Sequence, residues 1–125
     1  MDILSFKQQL IQIFEVNPKL WDRAIFHERM LLQTSENPTG IRIDTASNSI
    51  DFPISIREGG ISAVFIFEGD ALQEFINGKS LATLTEEGSI RCSGKKISIF
   101  RTSFFLDSIA AFFQSINSDD SHYIH

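Results

Sequence analysis

The segment Ile61 to Phe67 constrains the fold more than any other part of the chain. Ile61, Ala63, Phe65 and Phe67 alternate onto one face, and Val64 and Ile66 onto the other. A strand with two apolar faces must be covered on both. It is therefore expected inside a sheet, with helices over at least part of its second side.

The flanking sequence supplies candidate cover. Ile3, Phe6, Leu10 and Ile13 recur at steps of three and four, with Leu4, Ile11 and Phe14 widening the stripe, which predicts an opening amphipathic helix. Asn17-Pro18 reads as the N-cap and first turn of a second helix that buries Trp21, Ala24 and Ile25. Arg29 to Gln33 reads equally as the end of that helix or as the first strand. The turn cluster Asn37-Pro38-Thr39-Gly40 leads into the strand Ile41–Asp44. Phe52, Ile54 and Ile56 alternate in another strand, which Pro53 assigns to an edge or a strand start. Glu58-Gly59-Gly60 forms the next turn. Two short helices are expected in the middle. Asp70 with Gln73 forms a capping box for the first, which carries Leu72, Phe75 and Ile76 up to the stop at Asn77-Gly78. Ser80 to Glu87 forms the second, with Leu81 and Leu84. Ile90–Cys92 and Ile97–Ile99 read as a hairpin around Ser93-Gly94-Lys95, and a last helix runs from Thr102 or Ser103 to about Ile116. The fold class expected is α+β: a mostly antiparallel sheet of about five strands, flanked by N-terminal helices, two short middle helices and a C-terminal lid helix. Residues 1–116 form a single domain, and 117–125 a disordered polar tail.

The last helix has a surplus of apolar surface. Phe105, Ile109, Phe112 and Ile116 form one stripe, Leu106, Ala110 and Phe113 a second, and Phe104 adds to the flank. Packing on one sheet face needs an apolar arc of little more than about 100°, and this helix covers roughly twice that. Two readings account for the surplus: burial in the core or against a second copy, or a lid over a cavity for an apolar ligand. The aromatic composition points the same way, since 12 residues are Phe against one Trp and one Tyr, and Phe brings apolar area without a polar handle.

Several functions are disfavoured. A net charge of -5 argues against a broad nucleic-acid footprint. The single Cys92 excludes an internal disulfide or a multi-thiolate metal site, and reads as a small buried hydrophobe. No apolar run approaches the roughly 20 residues of a membrane span. Nothing at Met1-Asp2 reads as a signal peptide, so a soluble, cytoplasmic protein is expected. Glu86 and Glu87 diverge on a helix, while Glu68 and Asp70 bracket a turn, so no acid–base pair converges. His122 and His125, near Asp119 and Asp120, lack fixed geometry for a metal, and His27 has no evident second ligand. Gly59-Gly60 lacks the Lys and Ser/Thr of a phosphate loop. No catalytic residue, metal or cofactor is therefore assigned, and no enzyme is expected. Arg91, Lys95, Lys96 and Arg101 cluster in sequence. They read either as charges that keep an exposed hairpin from edge pairing, or as a patch for an acidic partner or anionic lipid headgroups.

The strand-to-helix passage Phe65-Ile66-Phe67-Glu68-Gly69-Asp70-Ala71-Leu72, the stop Asn77-Gly78-Lys79, the helix Ser80–Glu87 and the glycine-bounded Gly88-Ser89-Ile90-Arg91-Cys92-Ser93-Gly94 occur in a distinctive order. That order resembles the C-terminal half of the sterol carrier protein 2 family, over about Ile61 to Phe113. The resemblance implies a helix-flanked, mostly antiparallel sheet with an apolar tunnel that binds lipids, fatty acyl chains or sterols without catalysis. It implies that Phe65, Phe67, Leu72, Phe75 and Ile76 line the tunnel, and that Phe105, Ile109 and Phe112 lie on the lid helix. The chain departs from the family pattern in the extra strand read at Ile97 to Arg101, in Cys92 and Ser93, and in Phe side chains bulky enough to fill a tunnel. The expected function is non-catalytic binding of an apolar ligand between sheet and C-terminal helix. The alternative is a non-catalytic interaction module, a homodimer joined through that helix. A carrier should hold a pocket of at least about 300 Å³.

Overall fold

The computed structural model describes residues 1–58 and 60–123, and side chains as far as Gln114. Helix α1 (Ile3–Val16) starts where the Asp2 carboxylate accepts the Ser5 N–H at 2.7 Å, and it buries Ile3, Phe6, Leu10, Ile13 and Phe14. The periodic stripe is thus its core face. The second helix shrinks to one 3-10 segment, Pro18–Arg23, in which Leu20 is buried and Trp21 half-buried. The chain leaves helical geometry at Ala24, so Ile25, expected to be buried, is 78% exposed.

Five strands follow: β1 (Arg29–Thr34), β2 (Thr39–Asp44), β3 (Ser49–Ser55), β4 (Ala63–Phe67) and β5 (Ile90–Gly94). They form one sheet in the order β3-β2-β1-β4-β5. Arg29 to Gln33 is therefore strand, and β1 lies at the centre. The β1–β4 pair is parallel and the other three pairs are antiparallel. Pro53 lies on the edge strand β3, where its missing N–H costs no ladder bond. The alternation expected along β3 is not kept. Phe52 packs on the helix-covered face, Ile54 joins the opposite face, and Ile56 lies exposed beyond the strand, with a register slip at Gly40/Arg42.

Strand β4 is interior and apolar on both faces, but the two faces are covered differently. Ala63, Phe65 and Phe67 join the main core with the helices. Val64 packs instead with Leu31 and Ile54, bordered by Ile61 and Ile66, and among the described residues no helical one belongs to this smaller cluster. The expected helical cover on the second side is replaced by the sheet's own side chains and the β3–β4 connection.

Helices α2 (Ala71–Ile76) and α3 (Leu81–Glu86) cross the main face. Ser80 caps α3 by accepting the Thr83 N–H at 3.1 Å. Asp70 precedes α2 without a side-chain capping bond, and Gln73 donates to Asn77 instead, so the capping box is not formed. The larger correction is at the C-terminal side. There is no hairpin at Ser93-Gly94-Lys95, and Ile97–Ile99 is not a strand. Gly94 ends β5 at φ +128°, paired with Ala63. Helix α4 begins at Lys96 and continues to Tyr123, past the Ile116 boundary. Two apolar residues at spacing two do not distinguish a strand from the first turn of a helix. The side chain of Ile116 and the His122–His125 cluster with Asp119 and Asp120 lie outside the described side chains.

Candidate functional site

The space between β4 and α4 is filled. Phe6 from α1 stacks on Phe113 from α4 at 5.6 Å between ring centres, and reaches Phe67 and Phe75 at 6.4 Å each. Phe67–Phe75 at 6.1 Å and Phe75–Phe113 at 6.3 Å close the group. Phe65, Phe67, Leu72, Phe75, Ile76 and Ile109, six of the residues read as lining a tunnel or its lid, are buried in this continuous core. Phe112 packs half-buried at its border, under the Arg23 guanidinium at 5.3 Å. These seven pack β4, α2 and α4 together, and Phe67 also borders an opening of about 270 Å³ beside Met1 to Ile3 and Thr34 to Asn37.

The eighth, Phe105, has a different neighbourhood. Its ring continues the stack Phe14–Trp21, with ring centres at 6.3 and 6.5 Å, and it forms the floor of a pocket of about 230 Å³. The pocket lies between the segment Arg23–Glu28, the start of β1 and the first turns of α4. Ala24, Ile25, Phe26, Met30, Phe100 and Phe104 make its apolar wall. This pocket is somewhat smaller than the 300 Å³ expected of a carrier, but it is partly open to solvent, and Phe100 and Phe104 in its wall are 68% and 63% exposed.

How α4 is seated explains this opening. In its first two turns Ser98 and Thr102 face inward, at 6% and 1% exposure, while Ile97, Phe100 and Phe104 face out. The buried hydroxyl is satisfied locally, because Thr102 Oγ1 donates to the Ser98 carbonyl at 2.7 Å. Further along, Asp107 fixes the helix against α3 by accepting the Leu81 N–H at 3.0 Å. Burial pushes the Asp107 carboxyl up, and this bond opposes part of the rise. Gln114 adds a second tie, donating to the Asn77 carbonyl at 2.7 Å.

Polar groups are few in the pocket wall. Thr45 Oγ1 receives the Glu28 N–H at 2.8 Å and lies 3.0 Å from the Phe26 carbonyl, which fixes the 26–28 segment. The Arg101 guanidinium lies 3.7 Å from the Phe26 ring centre and 3.5 Å from Glu28. Its Nε is buried with no hydrogen-bond partner among the described residues. Cys92 is half-buried beside Thr85 with its thiol pushed up by desolvation, opposite to an activated thiolate. Among the described residues no group of three His, Cys, Asp or Glu could hold a metal ion.

Solved structures match this architecture. An SCP2 ubiquinone synthesis protein, UbiJ, superposes with a TM-score of 0.60 at 13% identity, over 88% of this chain and 91% of its own. The sterol carrier protein domain 2 of Helicoverpa armigera gives 0.59 at 13% identity over 88% and 91%. The chain has the sterol carrier protein 2 fold. Sterol carrier protein-2 like-3 from Aedes aegypti adds a match of 0.52 at 18% identity over 77% and 91%. No protein-family model matches the chain, and no curated protein does. At these identities the likeness establishes the fold. The pocket residues Ile25, Phe26, Phe100 and Phe104 escaped the sequence reading because two were assigned to a buried helix face or left unread, and two to a strand end and a flank. The usable signal was the Ile25-Phe26 doublet between Arg23 and His27, out of step with the helix before it.

Proposed function

We propose that this chain binds an apolar, lipid-like molecule without catalysis, at the pocket floored by Phe105 rather than between β4 and α4. The observation that carries the reading is a partly open apolar pocket with two exposed Phe side chains in its wall, a surface that water alone would cover at a cost of up to about 1.5–3 kcal/mol per side chain. Its volume suits one segment of an acyl or isoprenoid chain, with the remainder running between Phe100 and Phe104. The unpartnered Arg101 Nε offers a donor to an oxygen of the ligand, which would set its direction. The proteins of like fold carry names that refer to sterol carriage and ubiquinone synthesis, which agrees with an apolar ligand.

Trp21 stacks in the same aromatic row as Phe105, so its fluorescence reports on the pocket. Titration with a pyrene-labelled fatty acid should change Trp21 emission and saturate. Phe104→Asp, at an exposed position, should weaken that binding at least about tenfold with no change in unfolding temperature. Unchanged affinity in both Phe104→Asp and Phe100→Asp refutes the site.

A further inference from the structure

We infer that the first turns of α4 and the adjoining 24–28 segment dock on an anionic membrane surface. Five of the large exposed apolar side chains, Ile25, Phe26, Ile97, Phe100 and Phe104, lie on the 24–28 segment and the start of α4. Four of them rim the same pocket. Ile97, one turn before Phe100, extends the row along the helix. At about 100° per residue, Ile97, Phe100 and Phe104 share one stripe, and Lys96 and Arg101 flank it on either side. This is the layout of a helix that lies in a membrane interface, with aromatic and aliphatic groups entering the acyl boundary and cations at headgroup level.

Charge selects the occupant. The chain carries -5 overall, yet Lys95 and Lys96 stand together at the start of α4. They are exposed, and neither enters an ion pair among the described residues. Lysines at a helix N-terminus oppose the helix dipole, and α4 has no acidic residue in its first turn to offset them. Nothing in the fold requires them there. Glu28, the acidic member of the pocket lining, is held by Arg101. A second copy docked on this face about a two-fold axis would bring its own lysines against these, whereas phosphate headgroups neutralise them. The pocket then opens toward the bilayer, so an acyl or isoprenoid chain passes between membrane and protein without crossing water.

Flotation with phosphatidylcholine vesicles and with mixed phosphatidylcholine–phosphatidylglycerol vesicles tests this. The protein should bind the mixed vesicles more tightly, and added salt should release it. Ile97→Asp, and Lys95→Gln combined with Lys96→Gln, lie outside the pocket lining. Each should lower vesicle binding at least about tenfold while leaving fatty-acid titration of Trp21 unchanged. Replacing the lysines also relieves the helix dipole, and an unchanged urea midpoint of that variant separates loss of binding from unfolding. Three results would overturn the inference: equal or absent binding to both vesicle types, wild-type binding by the lysine variant, or a dimer in sedimentation that Ile97→Asp converts to monomer. Loss of fatty-acid binding with vesicle binding intact would refute the proposed function alone.

Discussion

Phe6→Ala tests whether the space between sheet and last helix is filled by the protein itself. Phe6 is fully buried and contacts three other rings, Phe67, Phe75 and Phe113, at 5.6 to 6.4 Å between centres. Removing it withdraws a benzyl group from a site bordered by α1, α2, β4 and α4, four elements that cannot collapse together without losing their other contacts. Transfer of the side chain accounts for about 1.5–3 kcal/mol. The residual cavity and the lost ring contacts bring the total to about 3–5 kcal/mol, the usual range for Phe→Ala in a core. Against a total stability of about 5–15 kcal/mol, such a loss is a large fraction. With an m-value of about 1–3 kcal/mol/M, the urea midpoint should fall by at least about 1 M. Trp21 fluorescence follows the transition, because it stacks on Phe14 of the same helix at 4.1 Å. Phe6→Leu should recover more than half of the loss. A loss below about 1 kcal/mol, or a Phe6→Ala protein that binds fatty acid more tightly with no loss of stability, would show that this space is a tunnel after all and refute the packing argument.

Two carboxylates should respond to pH in opposite directions. Burial raises the pKa of Asp44, but the Ala46 N–H, Arg29 and the Ser47 N–H outweigh it, and the net shift is downward. Its stabilising effect is thus present above the unfolded value near 3.8 and lost as pH falls through the lower folded value. In thermal melts, Asp44→Asn should be destabilised most at neutral pH and converge on the wild type in acid; a constant difference across pH would refute this. Asp107 is shifted upward by burial, so its ionisation weakens the fold as pH rises from 3.8 through the folded value. Asp107→Ala should cost about 1–3 kcal/mol at neutral pH by leaving the Leu81 N–H unpaired, whereas Asp107→Asn keeps an acceptor and should cost less than half as much, both measured by urea denaturation.

These cases separate what is legible in sequence from what is not. The two-faced strand and the stripe of α1 were readable because long apolar periods leave few alternatives. Trp21 and Ala24 pack on the core as expected, but Ile25 and Ile97 to Ile99 do not follow the local pattern, which offers only one turn or three residues there. Tertiary contacts decide such short segments: the 3-10 segment ends at Arg23, and Lys95 N-terminal to α4 accepts the Ile99 N–H at 2.9 Å, which closes the first helical turn where a strand was expected. The resemblance pointed the other way, since a strand at Ile97 to Arg101 is extra to the family pattern, and α4 indeed begins at Lys96. Read locally, the residues favoured the strand.

The site itself eluded sequence reading for a further physical reason. Hydrophobic periodicity identifies which residues share a face of a helix, but it assumes that the apolar face turns inward. At the start of α4 that assumption fails, because the inward face can be supplied by small hydroxyl residues that bond within their own helix. Thr102 does so through the Ser98 carbonyl, at little desolvation cost. Once Ser98 and Thr102 occupy the core side, Ile97, Phe100 and Phe104 are left exposed, at 51%, 68% and 63%. The surplus apolar arc of the last helix is real, then, but it is not distributed evenly along the helix. Its C-terminal part, through Phe105, Leu106, Ile109 and Phe113, is absorbed by the core, and its N-terminal part is presented outward. Burying Ser98 and exposing Phe100 runs against folding stability alone, and that reversal is why we propose these first turns, rather than the tightly packed Phe cluster, as the place where a ligand binds.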